Sequence, residues 1–573
     1  MKKMKKYFII LLIAFISINN VVLLAQYPLT ARAKNGMVVS ANQLASEVGI
    51  QILKKGGNAI DAAVATGFAL AVTYPFAGNI GGGGFMVIQF ENGKNTAIDF
   101  REKAPLTAHR DMYLDEKGNY IPSLSQEGAT SVAVPGSVSG LIYALEKYGT
   151  KSLSEVIQPA IELAKKGWKL DYRTAQSFNA NKKEFEKYSS SKKIFVKDKP
   201  WKEGDLFVQK DLAKTLEVIK KNGKSGFYKG KVADLLINQI NSLGGKISQK
   251  DLDLYNVVEK EPVKGTYKGY EILSMPPSSS GGIALIEILN ILENFKIDKD
   301  EWGSSEYIHK LVEAMKYAYA DRAEYLGDDK FYNVPQKILT SKEYAKLISE
   351  KIKQNFGKAV PSNEIDRSIL KNFKESNETT HYSVIDKYGN AVSVTTTINS
   401  AYGSKIVVED AGFLLNNEMD DFSAKPGEAN QFGLVGNEAN SIQPQKRPLS
   451  SMTPTIVLKN GKPYIVIGSP GGSRIITTVL QVILNCLEFD MNIADAINSP
   501  RIHHQWLPDK IYIEQFALSN DVMKRLMEMG YQFEDANNKF TILGLAEGIL
   551  VDQNKNIFNG AADKRGAGAA IGY

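Results

Sequence analysis

Cysteine is almost missing: Cys486 is the only one in 573 residues, which excludes an intrachain disulfide framework. Its place in the apolar run 477–487 reads as a buried small hydrophobe. An excess of one charge is missing too. The formal net charge of +7 falls to +3 once the four lysines of residues 1–6 are removed, too little to argue for nucleic acid as a partner. Spaced metal-ligand sets are lacking. His503 and His504 are adjacent, alternation would point them apart, and no metal and no cofactor is expected. Several nucleotide and hydrolase signatures are incomplete. The four glycines 81–84 have no Gly-Lys-Ser/Thr ending and no strand-loop-helix order, so they read as a close backbone approach in a packed core. The serine-rich stretch 276–282 lacks the Gly-x-Ser-x-Gly elbow and instead introduces a helix from about Ile283. The acidic cluster in 416–422 lacks the spacing of a calcium loop.

What is present supports a large folded protein. Hydrophobic residues make up 43% and charged ones 23%, enough for an extensive core, and the length by itself suggests several domains. Four lysines in residues 1–6, an apolar run over 7–18 and 21–25 and the small residue Ala25 have the order of a secretory signal. The run is broken by Asn19-Asn20 and is short for a bilayer span, so residues 1–25 are expected to be a signal peptide, and with no cysteine following, no lipid anchor. An exported, periplasmic or secreted protein without a stable membrane anchor is the corresponding expectation. The first mature segment reads as α/β: a strand over 37–41, an amphipathic helix over 43–55, an all-apolar helix over 59–74, then strands at 85–90 and 96–101 across an Asn92-Gly93 turn. Residues 136–354 read as mostly helical. The lysine-rich piece 182–202 is expected to be a solvated insertion. Residues 356–378 are polar, aperiodic and carry Pro361, and are expected to be a flexible linker.

The richest stretch is 378–403. Glu378 precedes Thr379-Thr380-His381-Tyr382-Ser383, a turn closes on Gly389-Asn390, and Thr395-Thr396-Thr397-Ile398-Asn399 leads to Tyr402-Gly403. Period-two patterning on either side of the turn predicts a β-hairpin, with Thr395, Thr397 and Asn399 on one face. A Thr pair alone is ordinary sheet composition. The whole pattern resembles the signature of the γ-glutamyltranspeptidases, self-processing members of the N-terminal nucleophile hydrolases, and every position of that signature is filled.

That resemblance runs nearly the length of the mature chain, from Gly57-Asn58-Ala59 to Gly572-Tyr573. It implies an α/β (α+β) fold, a four-layer αββα sandwich with a largely helical portion in the first fragment. It also implies one precursor cut at Glu378-Thr379 into a large subunit, 26–378, and a small catalytic subunit, 379–573. Thr379 is then nucleophile and, through its new α-amine with a reference pKa of about 7.7–8, its own base. Thr397 matches the Thr that hydrogen-bonds the nucleophile. Arg101, Ser450 and Ser451 match the residues for the substrate carboxylate, and Asn399, Glu418 and Asp421 those for its ammonium. Gly471 and Gly472 match the oxyanion hole, a role that backbone N–H groups near a helix start can fill. The loop 426–436 resembles a lid that in some members carries Tyr; here the residue is Phe432, which cannot donate a phenolic hydrogen bond to Asn399.

The implied activity is transfer of a γ-glutamyl group from glutathione-like amides onto Thr379 and on to water, an amino acid or a peptide. Three alternatives stay open at this point: an acylase of the same fold for a glutaryl-type amide, an unprocessed binding protein, and a serine hydrolase using Ser450 or Ser451.

Overall fold

The computed structural model describes residues 30–365, 379–431, 433–534 and 542–573. The expected signal peptide 1–25, the cleavage-site residue Glu378, the lid residue Phe432 and the last part of the expected linker lie outside the described residues.

Two seven-stranded sheets, antiparallel throughout, pack face to face. Across the first sheet the order is Ala569–Gly572, Gly36–Ser40, Thr380–Asp386, Ala391–Thr397, Gly83–Gln89, Asn95–Asp99 and Val258–Lys260. Across the second it is Ala31–Ala33, Ile557–Ala562, Glu547–Asp552, Lys462–Gly468, Thr455–Lys459, Tyr270–Ser274 and Val263–Tyr267. The expected hairpin therefore forms the middle of the first sheet. Alternation assigns the faces: Met37, Val39, Val87 and Ile385 enter the core between the sheets, while Val38, Met86, Tyr382 and Val384 enter the core beneath the outer helices.

Helices Gln43–Lys54 and Ala59–Thr73 cover the first sheet, and Gly281–Leu292, Ile475–Leu487 and Ile493–Asn498 cover the second. Together they make the αββα sandwich that the resemblance implied. Every residue of Ala59–Thr73 is buried, because this helix is held between the sheet and further helices; hence its apolar composition on all sides. A reciprocal cap starts it: the Asn58 side chain accepts from the N–H groups of Ile60 and Asp61, and Asp61 accepts from Asn58 N–H at 2.8 Å.

Residues 136–354 are mostly helical, as expected, and also include three strands, Val258–Lys260, Val263–Tyr267 and Tyr270–Ser274. The first is the edge of one sheet and the second the edge of the other; edge strands are short and polar, so their pattern does not stand out. Residues 182–202 are not a solvated insertion. Short helices there bury Phe185 and Phe195 among Phe178, Phe207 and Tyr402, and Ser190 donates to the Val407 carbonyl at 2.8 Å. Lysine heads reach water while the intervening residues pack. The described part of the expected linker is anchored: Ala359 N–H donates to Met529 O at 2.7 Å, Ser362 Oγ to Trp506 O at 2.7 Å, and Trp506 Nε1 returns a bond to Ser362 O at 2.9 Å.

Candidate active site

The hydroxyl-rich face of the hairpin lies between the two sheets, where its groups find fixed partners. Ser383 Oγ donates to Glu547 O at 3.1 Å and Ser393 Oγ to Ile467 O at 3.0 Å. His381 lies 2.9 Å from Thr395 Oγ1 through Nδ1 and 3.0 Å from Ser383 Oγ through Nε2. Burial pushes the His381 pKa down to about 3, so the ring is neutral and bridges two hydroxyls. These bonds to the backbone opposite account for so many Ser and Thr residues in a buried strand.

The hairpin register pairs His381 with Thr395 and Thr380 with Thr396; continued by one residue, it sets Thr379 opposite Thr397. Both line one small cavity. Thr397 is fixed by its neighbours: its Oγ1 accepts from Asn399 N–H at 2.7 Å, and its carbonyl accepts from Asn79 Nδ2 at 2.8 Å. Gly82 permits this approach, since a Cβ there would stand 2.1 Å from the Thr397 carbonyl oxygen. The close approach read from the glycine run is therefore real, and it serves this strand end. Asn399 sits in the left-handed region with φ of 72° and donates through Nδ2 to Asn417 O at 2.9 Å.

Arg101 follows the strand Asn95–Asp99 and is fully buried. Its Nη1 donates to Glu418 and its Nη2 to Asp421; Nε reaches Pro448 O at 3.3 Å, and Glu102 lies 3.5 Å from Nη1. Glu418 is set by Asn416, which accepts from its N–H at 3.1 Å and donates to Gly81 O and Ala133 O at 2.9 Å each. Burial pushes Glu418 and Asp421 above the usual carboxylate range against the pull of Arg101. Glu102 is pushed up to about 7 for the same reason. Burial also acts against the Arg101 charge, but Glu418, Asp421 and Glu102 outweigh it and hold the guanidinium above its ordinary value.

Ser450 and Ser451 line the same cavity. Ser450 N–H donates to Ser278 O at 3.0 Å, and Ser450 Oγ accepts from Met452 N–H at 3.1 Å. Ser451 Oγ accepts at 3.3 Å from Nη2 of Arg322, a buried residue near the end of the helix Ser305–Tyr325. Arg322 Nε donates to Ser280 Oγ at 3.0 Å. Burial lowers the Arg322 pKa to about 10, opposed in part by Tyr319 and Asp421. Gly471 and Gly472 have φ of 138° and 53°, conformations that favour glycine. They open the turn Gly472–Arg474, which leads into the helix Ile475–Leu487.

The cavity, about 20 Å³, thus brings together Thr379, Thr397, Asn399, Arg101, Glu418, Asp421, Ser450, Ser451 and Gly472, with Gly471 next in the chain. These residues come from five separate stretches of sequence. Larger cavities of about 730 and 600 Å³ elsewhere hold no comparable set. Among the described residues no group of three or more His, Cys, Asp or Glu could hold a metal ion. Sequence reasoning missed Arg322 and Glu102. A signal for Arg322 existed: in the helix Ser305–Tyr325 it continues, at spacings of 3, 4, 7 and 11, the face of Tyr319, Ala318, Met315 and Leu311, so a lone charge interrupts an apolar face.

The profile of the Gamma-glutamyltranspeptidase family matches residues 45–573. Glutathione hydrolase proenzyme of Escherichia coli (strain K12) is 50% identical over 538 residues, covering 93% of this chain and 91% of that protein. The structure of Helicobacter pylori gamma-glutamyltranspeptidase aligns at 53% identity with a TM-score of 0.54, over 55% of this chain and 90% of that one. Cephalosporin acylase from Bacillus halodurans aligns over 96% of this chain and 98% of its own with a TM-score of 0.83, at 26% identity. The acylase shares the architecture at about half the identity of the other two. A profile match over most of the chain, together with 50% identity over nearly all of it, shows that this chain belongs to the γ-glutamyltranspeptidase family of N-terminal nucleophile hydrolases.

Proposed function

We infer that the chain is a γ-glutamyltransferase with glutathione hydrolase activity, made as a precursor and cut at Glu378-Thr379 into two subunits. The observation that carries this reading is a single cavity in which Thr379 and Thr397 face both a pair of acids and a pair of serines backed by a cation. In the processing step the Thr379 hydroxyl attacks the Glu378 carbonyl carbon and the peptide C–N bond breaks. This leaves an ester and a free α-amine, and water then opens the ester. In turnover the α-amine takes the proton of the Thr379 hydroxyl as its oxygen attacks the γ-carbonyl of the donor. Backbone N–H groups of Gly471 and Gly472 stabilise the tetrahedral oxyanion. The leaving amine departs with the proton, and the γ-glutamyl ester passes to water, an amino acid or a peptide. Thr397 orients the nucleophile. Asn399, Glu418 and Asp421 take the donor's α-ammonium, while Arg101, Ser450 and Ser451 take its α-carboxylate.

The acylase alternative is weaker, because the acylase structure shares the fold at only 26% identity while the glutathione hydrolase relative is 50% identical. The acids Glu418 and Asp421 also give a glutaryl donor, which lacks an ammonium, nothing to pair with. No helix among the described residues is long and apolar enough to cross a membrane, which is compatible with an exported, periplasmic or secreted enzyme. The intact mass of the protein beside Thr379→Ala tests the reading. The expected result is two fragments meeting at 378/379 in the parent and one chain without γ-glutamyl turnover in the variant. One uncut chain in both removes the α-amine and makes a binding protein the better reading.

A further inference from the structure

The two arginines of the cavity are in opposite electrostatic situations. Arg101 is matched by three carboxylates, Glu102, Glu418 and Asp421, and its Nε is bound to a carbonyl. Arg322 is fully buried as well, yet among the described residues no ion pair includes it, and its two hydrogen bonds go to neutral hydroxyls, Ser280 and Ser451. Asp421 acts on it only at longer range, and a buried guanidinium whose hydrogen bonds go to hydroxyls alone is costly unless an anion completes it. The cavity therefore holds two acids already paired to Arg101 and, behind Ser451, a second guanidinium without a direct ion pair. A γ-glutamyl donor presents a zwitterionic end, an ammonium and a carboxylate on one carbon, which fits that set of charges.

The hydrogen-bond chemistry adds direction. A guanidinium only donates, so Ser451 Oγ is the acceptor toward Arg322, and its own O–H hydrogen is turned away from the guanidinium. Ser280 is held in the same way: it accepts from Arg322 Nε and donates to the Ser450 carbonyl at 2.7 Å. One residue thus orders the hydroxyl of Ser451 and the backbone that carries Ser450.

We propose that Arg322 is the residue that makes the site select donors with a free α-carboxylate, by supplying a positive charge that has no direct ion pair and by fixing Ser451 as a donor toward that carboxylate. This rests on the γ-glutamyl reading above. Arg322 is a positioning residue, since its contact with the substrate runs through Ser451.

The test uses full-length processed enzyme and a γ-glutamyl anilide, with parent, Arg322→Gln, Arg322→Lys, Ser451→Ala and the Arg322→Gln/Ser451→Ala double variant. Arg322→Gln is expected to raise KM about tenfold or more with kcat changed less than about threefold, as for a group that binds rather than reacts. Arg322→Lys, which keeps the charge but loses one hydrogen bond, should recover part of the KM. Adding Ser451→Ala to Arg322→Gln should change KM less than about twofold, because the two substitutions remove one shared interaction. An unchanged KM in Arg322→Gln, a fall confined to kcat, or fully multiplicative effects with Ser451→Ala would overturn the assignment. Failure of both Arg322 variants to be processed would also overturn it, marking Arg322 as a folding residue. A parent with no γ-glutamyl turnover would count against the proposed function, whereas an active parent with insensitive variants counts against Arg322 alone.

Discussion

Arg101 and Asp421 meet across the cavity, one arriving from the end of a strand in the first sheet and the other from a short 3-10 turn, Glu418–Asp421, some 320 residues later in the chain. Neither charge is at home in a buried site by itself. Each makes the other tolerable, and a substrate ammonium has to share Asp421 with the guanidinium.

Replacing Asp421 by Asn keeps the shape and removes that charge. For a γ-glutamyl anilide, KM is expected to rise by roughly ten- to a hundredfold, the scale of a broken buried ion contact at about 1.4 kcal/mol per factor of ten. A glutaryl anilide, with no ammonium, should show little difference between the two proteins. Steady-state kinetics with both donors checks this; an equal loss on both would place Asp421 in structural support.

Thr397→Val retains the branched shape but removes the oxygen that accepts from Asn399 N–H. A buried N–H without a partner costs about 1–3 kcal/mol. We therefore expect slower processing, turnover lowered about tenfold or more, and recovery of most of the loss in Thr397→Ser. Time-resolved fragment analysis together with anilide turnover measures both effects.

Gly82→Ala places a methyl group against the Thr397 carbonyl oxygen. Because the nearest atom is backbone, the strand end must move, and overpacking of this kind costs about 1–3 kcal/mol. The expected outcome is a lower Tm and a larger loss of turnover than of secondary structure. Alanine at the exposed turn residue Gly93, where a Cβ meets no atom within 4 Å, lies far from the hydroxyl pair and should leave turnover unaffected, while its φ of 83° is expected to lower Tm slightly.

The buried His381 has its pKa lowered to about 3, from an ordinary value near 6.5. Between these values the unfolded chain binds a proton that the folded chain does not, so folding stability rises with pH through this window and is lost as pH falls below about 6.5. The slope from one such group reaches about 1.4 kcal/mol per pH unit. His381→Gln, which cannot titrate, should show a shallower fall in denaturant midpoint from pH 6.5 to 4 than the parent. Parallel curves would mean that the ring is not held neutral.

Much of the local structure was legible before any coordinates. The hairpin, the all-apolar helix 59–74, the glycine approach at 81–84 and the helix following the glycine pair at 471–472 each declare themselves through composition, periodicity or turn residues within about twenty positions. The strands Val258–Lys260 and Val263–Tyr267 did not, because these two sheet edges carry polar residues and lack a continuous apolar face. The stretch 182–202 misled because lysine stems can lie along packed surface, and composition counts the charge, not the Phe185 and Phe195 between. The first part of the expected linker misled for a related reason: Ser362 and Ala359 are polar or small, and only partners at Trp506 and Met529 make them fixed.

By itself the sequence determined the residue types of the site and the motif around Thr379, because nucleophile, turn and register lie within one short hairpin where local rules suffice. Only the tertiary structure decided which charges face one another. Arg101 could have met serines or acids, and Arg322 belonged to no motif; apart from Glu102, the partners of their guanidinium groups lie from 42 to 347 residues away along the chain. Coulomb attraction and hydrogen bonding act over a few ångströms of space, and the distance along the chain does not enter them.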